Sequence, residues 1–373
     1  MTESEPDIYR KLQEHLDKFP IGYPATESGV EIRILKHLFT PEEAEIATKM
    51  HFQPLPLDKI YRRVKKSGIT IEELEKVLDN MGKKGSIMFG SQDVGGKKIK
   101  YYANAFFAVG MYEFQLNHLT KEFIDDSMQY IREAFWEEFN LTKMPQIRTI
   151  PISQTLDIDN IISSYDNVRN LIMERTSPIA VGVCICRQEK DLEGDPCKQS
   201  DIRETCFFFG AGANMYVEKG QARLISKEEA LKLLKRAEDA GFVLQPTNSK
   251  RPIGVCCCCG CCCGVLTHQK MFSERPVEFF NTSFYSEVDP ELCSGCETCL
   301  DRCQMDAIDM VDDVAVINLD RCIGCALCIS TCPSEAITLK KKEEEYEPPE
   351  NTVAYFQKVM DTKAALAREA KNL

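Results

Sequence analysis

Ile71, Leu74, Val77, Leu78 and Met81 recur at helical spacing among polar neighbours, which predicts an amphipathic helix with Thr70 as its N-cap. Upstream, EIRILKHLF is an apolar stretch. It leads into Thr40 as a cap, Pro41 at the first helical position and Glu43 three residues after the cap, the signature of another helix start. LPLDKIYRRVKKSG reads as a further helix closing at Gly68. The pattern then changes to SIMFG and KKIKYYA, two short β-like runs either side of the turn-rich SQDVGG. A polar lead carries the helix YRKLQEHLDKF, and residues 116–180 read as helical, including KEFIDDSMQYIREAFWEEF with the single Trp136. SKEEALKLLKRAEDAG is a clear helix, with Ser226 and Glu229 as a capping box and Gly241 as its stop. The tail is a charged linker, a Pro-Pro break and an amphipathic helix.

Three helices followed by a hairpin resemble a winged helix over residues 31–115. Such a module often places its third helix in a DNA groove. Here that helix carries Glu72, Glu73, Glu75 and Asp79 against Lys76, and carboxylates facing phosphates repel. Basic residues stand nearby, at Arg62, Arg63, Lys65, Lys66, Lys83, Lys84, Lys97, Lys98 and Lys100. The balance favours a protein-docking or structural module over DNA binding.

The 373 residues leave room for two or three domains, and a hydrophobic content of 43% supports sizeable cores. The 19 Cys change the picture, because none lies before Cys184 or after Cys332. The N-terminus lacks the basic segment and apolar run of a secretory signal, and no apolar stretch reaches membrane-spanning length. A cytoplasmic location with reduced thiols is therefore expected, and clustered Cys then reads as metal ligation rather than disulfides. The net charge of −12 opposes general nucleic-acid affinity. Between Glu287 and Glu335 eleven Asp or Glu face two Arg, a one-signed patch suited to steering a basic redox partner.

CSGCETCLDRCQ and CIGCALCISTCP, starting at Cys293 and Cys322, both follow C-x2-C-x2-C-x3-C, and the flanks VDPEL…AIDMV and INLDR…AITLK repeat with them at 29 residues. This unit resembles the bacterial-type ferredoxin domain with two 4Fe-4S clusters. The resemblance implies Cys293, Cys296, Cys299 and Cys332 on one cluster, and Cys322, Cys325, Cys328 and Cys303 on the other, because the last Cys of each run ligates the opposite cluster. Gly295, Gly324 and Ala326 leave room for backbone N–H groups near the sulfides. Gln304 stands where the pattern prefers Pro. A zinc ribbon also uses C-x2-C pairs, but the duplicated three-plus-one spacing favours a one-electron relay.

Eleven more Cys fill the middle of the chain: Cys184, Cys186, Cys197 and Cys206, then Cys256, Cys257, Cys258, Cys259, Cys261, Cys262 and Cys263 in PIGVCCCCGCCCGVL. Adjacent side chains diverge in a strand or a helix, so the run cannot serve one cube. It can supply two centres on opposite sides, or one centre with spare thiols. Arg187 and Arg203 are placed to offset thiolate charge. One or two additional iron–sulfur centres are expected, each using a subset of these residues. Zinc and free redox thiols are the alternatives. The paired Cys is similar to the cysteine-rich domain of heterodisulfide reductases in that pairing alone. As a whole, the layout resembles a group of iron–sulfur proteins from anaerobes.

The expected fold is α+β multidomain: an N-terminal helical lead (1–30), a winged-helix-like module (31–115), a helical connector (116–180), a helical, Cys-rich metal-binding domain (181–284), a ferredoxin-like two-cluster domain (285–340), and a charged linker with a C-terminal helix (341–373). The expected function is electron transfer between the ferredoxin clusters, a centre in the Cys-rich domain and a partner oxidoreductase that docks on the acidic face. A redox-sensing winged-helix regulator, a disulfide or thiol reductase and a metal-handling protein are the rivals. His15, His37, His51, His118 and His268 form no acid–base constellation, although His268 lies nearest the Cys run.

Overall fold

The computed structural model describes residues 7–152 and 164–371. Two compact units form, one from Met1–Thr142, Asn214–Gln221 and Gln357–Leu373, the other from Lys143–Ala213 and Ala222–Phe356.

In the first unit, α1 (Ile8–Leu16), α2 (Val30–Leu38) and α3 (Pro41–Ala47) precede β1 (Leu55–Pro56), α4 (Leu57–Val64), α5 (Ile71–Lys83) and the hairpin β2 (Ile87–Val94) and β3 (Lys97–Asn104). The helices α6 (Lys121–Tyr130) and α7 (Trp136–Asn140) follow. Thr40 and Thr70 each close a full capping box, with Glu43 and Glu73 returning the hydrogen bond to the cap backbone. The stripe Leu74, Leu78 and Met81 on α5 is buried. Glu75 and Asp79 turn toward the hairpin, where Lys100 pairs with them at 2.9 and 2.7 Å and the Tyr102 hydroxyl donates to Asp79 at 2.7 Å. With Glu73 in the capping box, three of the four carboxylates on this helix are thus engaged within the unit. The strands run longer than the sequence suggests. Residues 91–94 belong to β2, and the turn shrinks to Gly95-Gly96, whose φ values of 64° and 80° suit a two-residue hairpin.

The second unit opens with an extended segment. Ile147 and Ile150 bridge to Thr247 and Leu244, which corrects the helical expectation for this part of 116–180. Pro145, Pro151 and the β-branched residues between them disfavour a helix. The expectation for residues 153–163, like that for the first six and last two residues, lies outside the described residues. After α8 (Val168–Met173) come β4 (Ile179–Val183), α9 (Ile185–Glu193), β5 (Glu204–Phe209), α10 (Ala211–Glu218), β6 (Ala222–Ile225), α11 (Lys227–Asp239), β7 (Val243–Pro246) and β8 (Gly254–Cys258). The five strands form one antiparallel sheet in the order β6-β4-β5-β8-β7. The Cys-rich region therefore combines the expected helices with a five-stranded sheet that carries part of the cysteine run. Strands such as IAVGV and VLQP are buried along almost their whole length, so they lack the alternation that marks a half-exposed strand. Ser226 accepts from the Glu229 backbone, but the Glu229 carboxylate is held by Arg223 at 2.7 Å, so only half of the expected capping box forms.

The chain continues through α12 (Gly264–Phe272), α13 (Val277–Phe280), β9 (Phe284–Val288), α14 (Thr298–Arg302), β10 (Ile308–Val311), β11 (Val314–Ile317), β12 (Ile337–Lys341) and α15 (Thr352–Lys371). β9 pairs with β12 and β10 with β11, both antiparallel. The 29-residue repeat is written in the backbone as well. Gly295, Glu297 and Asp306 have positive φ, and so do Gly324, Ala326 and Glu335, each 29 positions on. Among the described residues no helix is long and apolar enough to cross a membrane.

Arg302, the last residue of α14, donates to the carbonyls of Glu238 and Asp239 at 2.8 and 3.0 Å. These are terminal acceptors of α11, where a cation also meets the negative end of the helix dipole. Arg302→Ala should cost about 1–2 kcal/mol, read as a lower thermal midpoint of the anaerobic protein with the cysteine-bound metal content unchanged.

Candidate functional site

The two C-terminal cysteine runs surround two cavities. Cys293, Cys296, Cys299 and Cys332 line one, with Met310, Ala315 and Ile337. Cys303, Cys322, Cys325 and Cys328 line the other, with Ile308, Ile317 and Leu327. Three cysteines of each run share a tight loop, and the fourth crosses to the opposite cavity. The Ala307 backbone N–H donates to the Cys303 sulfur at 3.3 Å and that of Ala315 to Cys293 at 3.5 Å, contacts that stabilise thiolate charge. Gly324 must be glycine on two counts, since its φ is +64° and a Cβ would collide with the Phe284 carbonyl. Cys296 is exposed, whereas Cys299, Cys322 and Cys328 are buried. This donor set suits iron–sulfur cubes, which take one soft thiolate per iron. Residues 286–349 match the 4Fe-4S dicluster domain family. Comparison of the chain with curated proteins and with solved structures returns no match. All eleven acidic residues between Glu287 and Glu335 are exposed on the dicluster domain.

The middle cysteines divide into groups. The alternation of β8 sends Cys256 and Cys258 to one face of the sheet and Cys257 to the other. Beyond the strand, Cys259, Cys261 and Cys262 gather with Cys197, which arrives from the loop after α9, and their four sulfurs lie within 4.8 Å of one another. Cys197 sits 3.6 Å from Cys259 and 3.7 Å from Cys261, and Cys261 is 3.7 Å from Cys262. Four thiolates around one tetrahedral ion at about 2.3 Å are about 3.8 Å apart, so this set has the spacing of a single ion. Such S4 sites hold zinc or iron. Hydrogen bonding from Cys259 pulls the Cys197 thiol down to about 3, which readies a thiolate for a metal.

The remaining thiols, except Cys257, form a closed ring. Cys184 faces Cys186 and Cys206, Cys263 faces Cys186 and Cys258, and Cys256 faces Cys206 and Cys258. The members alternate. Donation from their two neighbours holds Cys184 and Cys263 well below the usual thiol range and Cys256 down to about 5. The donors Cys186, Cys206 and Cys258 are pushed up by the thiolates they face. Cys257 stands apart, raised by burial.

Arg187 lies between the two groups and is fully buried. Its guanidinium donates to Thr205 Oγ1 at 2.6 Å and to the Cys257 carbonyl at 3.3 Å, and stacks 4.0 Å above the Phe242 ring. Burial alone would lower its pKa. The charges of Cys184 in the ring and Cys259 in the compact set reverse that and raise it. Arg203 is farther out, paired with Asp191 at 2.8 Å. His268 turns back onto the Gly264 carbonyl at 2.5 Å, within its own helix.

Sequence reasoning placed all these cysteines but missed how the run meets the dicluster domain. The Gly260 N–H donates to Gln304 Oε1 at 2.7 Å, and a Cβ on Gly260 would strike the Gln304 carbonyl oxygen. Gln304 is buried and also reaches Gln199 at 3.3 Å. The departure from Pro after Cys303 was the available signal. Gly260→Ala should destabilise the anaerobic protein by about 1–3 kcal/mol through overpacking. Gly90→Ala, where a Cβ meets nothing, should be near neutral in the same thermal unfolding series.

Proposed function

We propose that the protein carries single electrons between a partner docked on the acidic dicluster domain and thiolate-bound centres in the Cys-rich sheet. The observation that carries this reading is the Gly260–Gln304 contact. Gln304 follows Cys303, which we assign with Cys322, Cys325 and Cys328 to the inner cluster, and Gly260 separates Cys259 from Cys261. One hydrogen bond thus joins the two sets of ligand loops. The outer cluster, assigned to Cys293, Cys296, Cys299 and Cys332, has an exposed ligand in Cys296, and the acidic residues exposed on the same domain can steer a basic partner. Bound 4Fe-4S clusters supply one-electron chemistry at low potential. The order of α4, α5 and the β2–β3 hairpin supports reading residues 31–115 as a winged-helix-like module, with its acidic α5 favouring a structural or protein-docking role.

Gln304→Pro restores the residue typical of the motif and removes the contact. Rapid-mixing reduction with dithionite should then show the dicluster signals appearing as in the parent, with reduction of the Cys-rich centres delayed by about an order of magnitude. Unchanged timing in both phases would remove the basis for this route. Arg187→Met removes a buried cation beside the thiolates. Because reduction adds negative charge, the midpoint potential of the Cys-rich centres should fall by about 60 mV or more, a tenfold change in equilibrium for one electron, while the dicluster potentials stay in place in an EPR-monitored titration.

A further inference from the structure

We propose that the ring of Cys184, Cys186, Cys206, Cys256, Cys258 and Cys263 is a separate metal site that takes one iron–sulfur cluster larger than a cube. This deepens the electron-transfer reading by naming its innermost station, and rests on it for that role.

The sheet builds the site. Gly182 on β4 pairs with Cys206 on β5, Cys206 pairs with Cys256 on β8, and Cys256 pairs with Gln245 on β7. Directly paired residues share a face, so one row across four strands presents two thiols and an amide, with a glycine at its end that adds no side chain. Cys258 joins them two positions along β8. The remaining thiols come from helix starts. Cys184 is the N-cap of α9, Cys186 lies in its first turn, and Cys263 is the N-cap of α12, both helices being nine residues long. Two helix N-termini therefore bring their positive ends to the thiol ring.

A second observation points to a ligand. The Gln245 side chain is fully buried, its Oε1 lies 4.0 Å from the Cys263 sulfur, and its Nε2 has no hydrogen-bond partner among the described residues. An orphaned buried amide donor is costly. A sulfide or thiolate of a bound cluster would accept its hydrogen bond.

The number of donors sets the class of cluster. A cube takes four thiolates, and a single tetrahedral ion also takes four. Six soft ligands in one closed ring exceed both. The compact set of Cys197, Cys259, Cys261 and Cys262 is a different site, since none of its members belongs to the ring.

The test is the iron, zinc and acid-labile sulfide content of the full chain prepared under strict anaerobiosis, with Mössbauer spectra of the iron-57-enriched protein. The dicluster domain accounts for about eight irons. The double variant Cys206→Ser/Cys256→Ser should lose more than about four irons per chain, with sulfide to match, and keep the dicluster EPR signals as the control for folding. Cys261→Ser should lose only the metal of the compact set. Gln245→Leu, which leaves every thiol in place, should shift the Mössbauer parameters of the ring component without changing the others. A ring that releases four irons or fewer, or zinc, overturns the proposal. So does unenriched iron near eight in the parent chain, and that result alone would also remove the Cys-rich iron centres from the electron route. Loss of iron from Cys261→Ser with none from the ring variant would leave the route standing and sink the ring. Should the double variant fail to fold, the Mössbauer spectrum of the parent decides, because the ring requires a component of more than four irons beyond those of the dicluster domain.

Discussion

Packed thiolates repel one another, and the repulsion grows as water is excluded. The second unit has to gather eleven middle cysteines despite this, six of them buried and five half-buried, and its architecture follows from how the charge is offset. Arg187 contributes a buried guanidinium between the compact set and the ring, held by Thr205, the Cys257 carbonyl and the Phe242 face. The helices α9 and α12 begin at Cys184 and Cys263, so partial positive charge from their first backbone N–H groups falls where the thiols are most acidic. Neighbouring thiols that stay protonated donate to those that do not. Each device needs a fixed backbone, and the five-stranded sheet provides it.

The same sheet explains how seven cysteines in nine positions avoid one another. Strand geometry alternates the first residues of the run between faces, so Cys256 and Cys258 go to the ring and Cys257 is withheld from it. Gly260 then lets the chain pass close to Gln304, and the loop hands Cys259, Cys261 and Cys262 to Cys197 before Cys263 returns to the ring as a helix cap. A continuous run in sequence becomes two donor sets and one bystander in space.

Much of this was legible from residue order. The cap residues Thr40 and Thr70, the helix at α11, the C-terminal repeat and the offsetting role of Arg187 were visible because each depends on local spacing or on residue chemistry. The sheet was not, since strands of four or five residues buried nearly throughout, as β4, β7 and β8 are, carry no period that separates them from short buried helices. Segment 143–152 is extended, as Pro145 and Pro151 favour, and its pairing with β7 and Thr247 is a long-range contact that local spacing does not show. The partition of the middle cysteines was beyond sequence reasoning for the same reason. It is set by the register that aligns Gly182, Cys206, Cys256 and Gln245 across four strands.

A 29-residue duplication left to itself would give a dicluster domain two equivalent ends. The chain breaks that equivalence at the residue after the last cysteine of each run. Pro333 follows Cys332 and is exposed, whereas Gln304 follows Cys303 and is buried against Gly260. Proline there can accept nothing from Gly260, because it has no side-chain polar atom. Glutamine supplies the acceptor and lets the cysteine run approach. The Ile152 N–H donates to the Cys325 carbonyl at 3.1 Å beside the same cavity, while Cys296, on the other cavity, stays open to solvent. The cavity of Cys303, Cys322, Cys325 and Cys328 is therefore anchored to the Cys-rich region, and that of Cys293, Cys296, Cys299 and Cys332 has a ligand left accessible. A symmetric pair of ligand loops thereby gains an inside and an outside, which is the property a directional electron carrier requires.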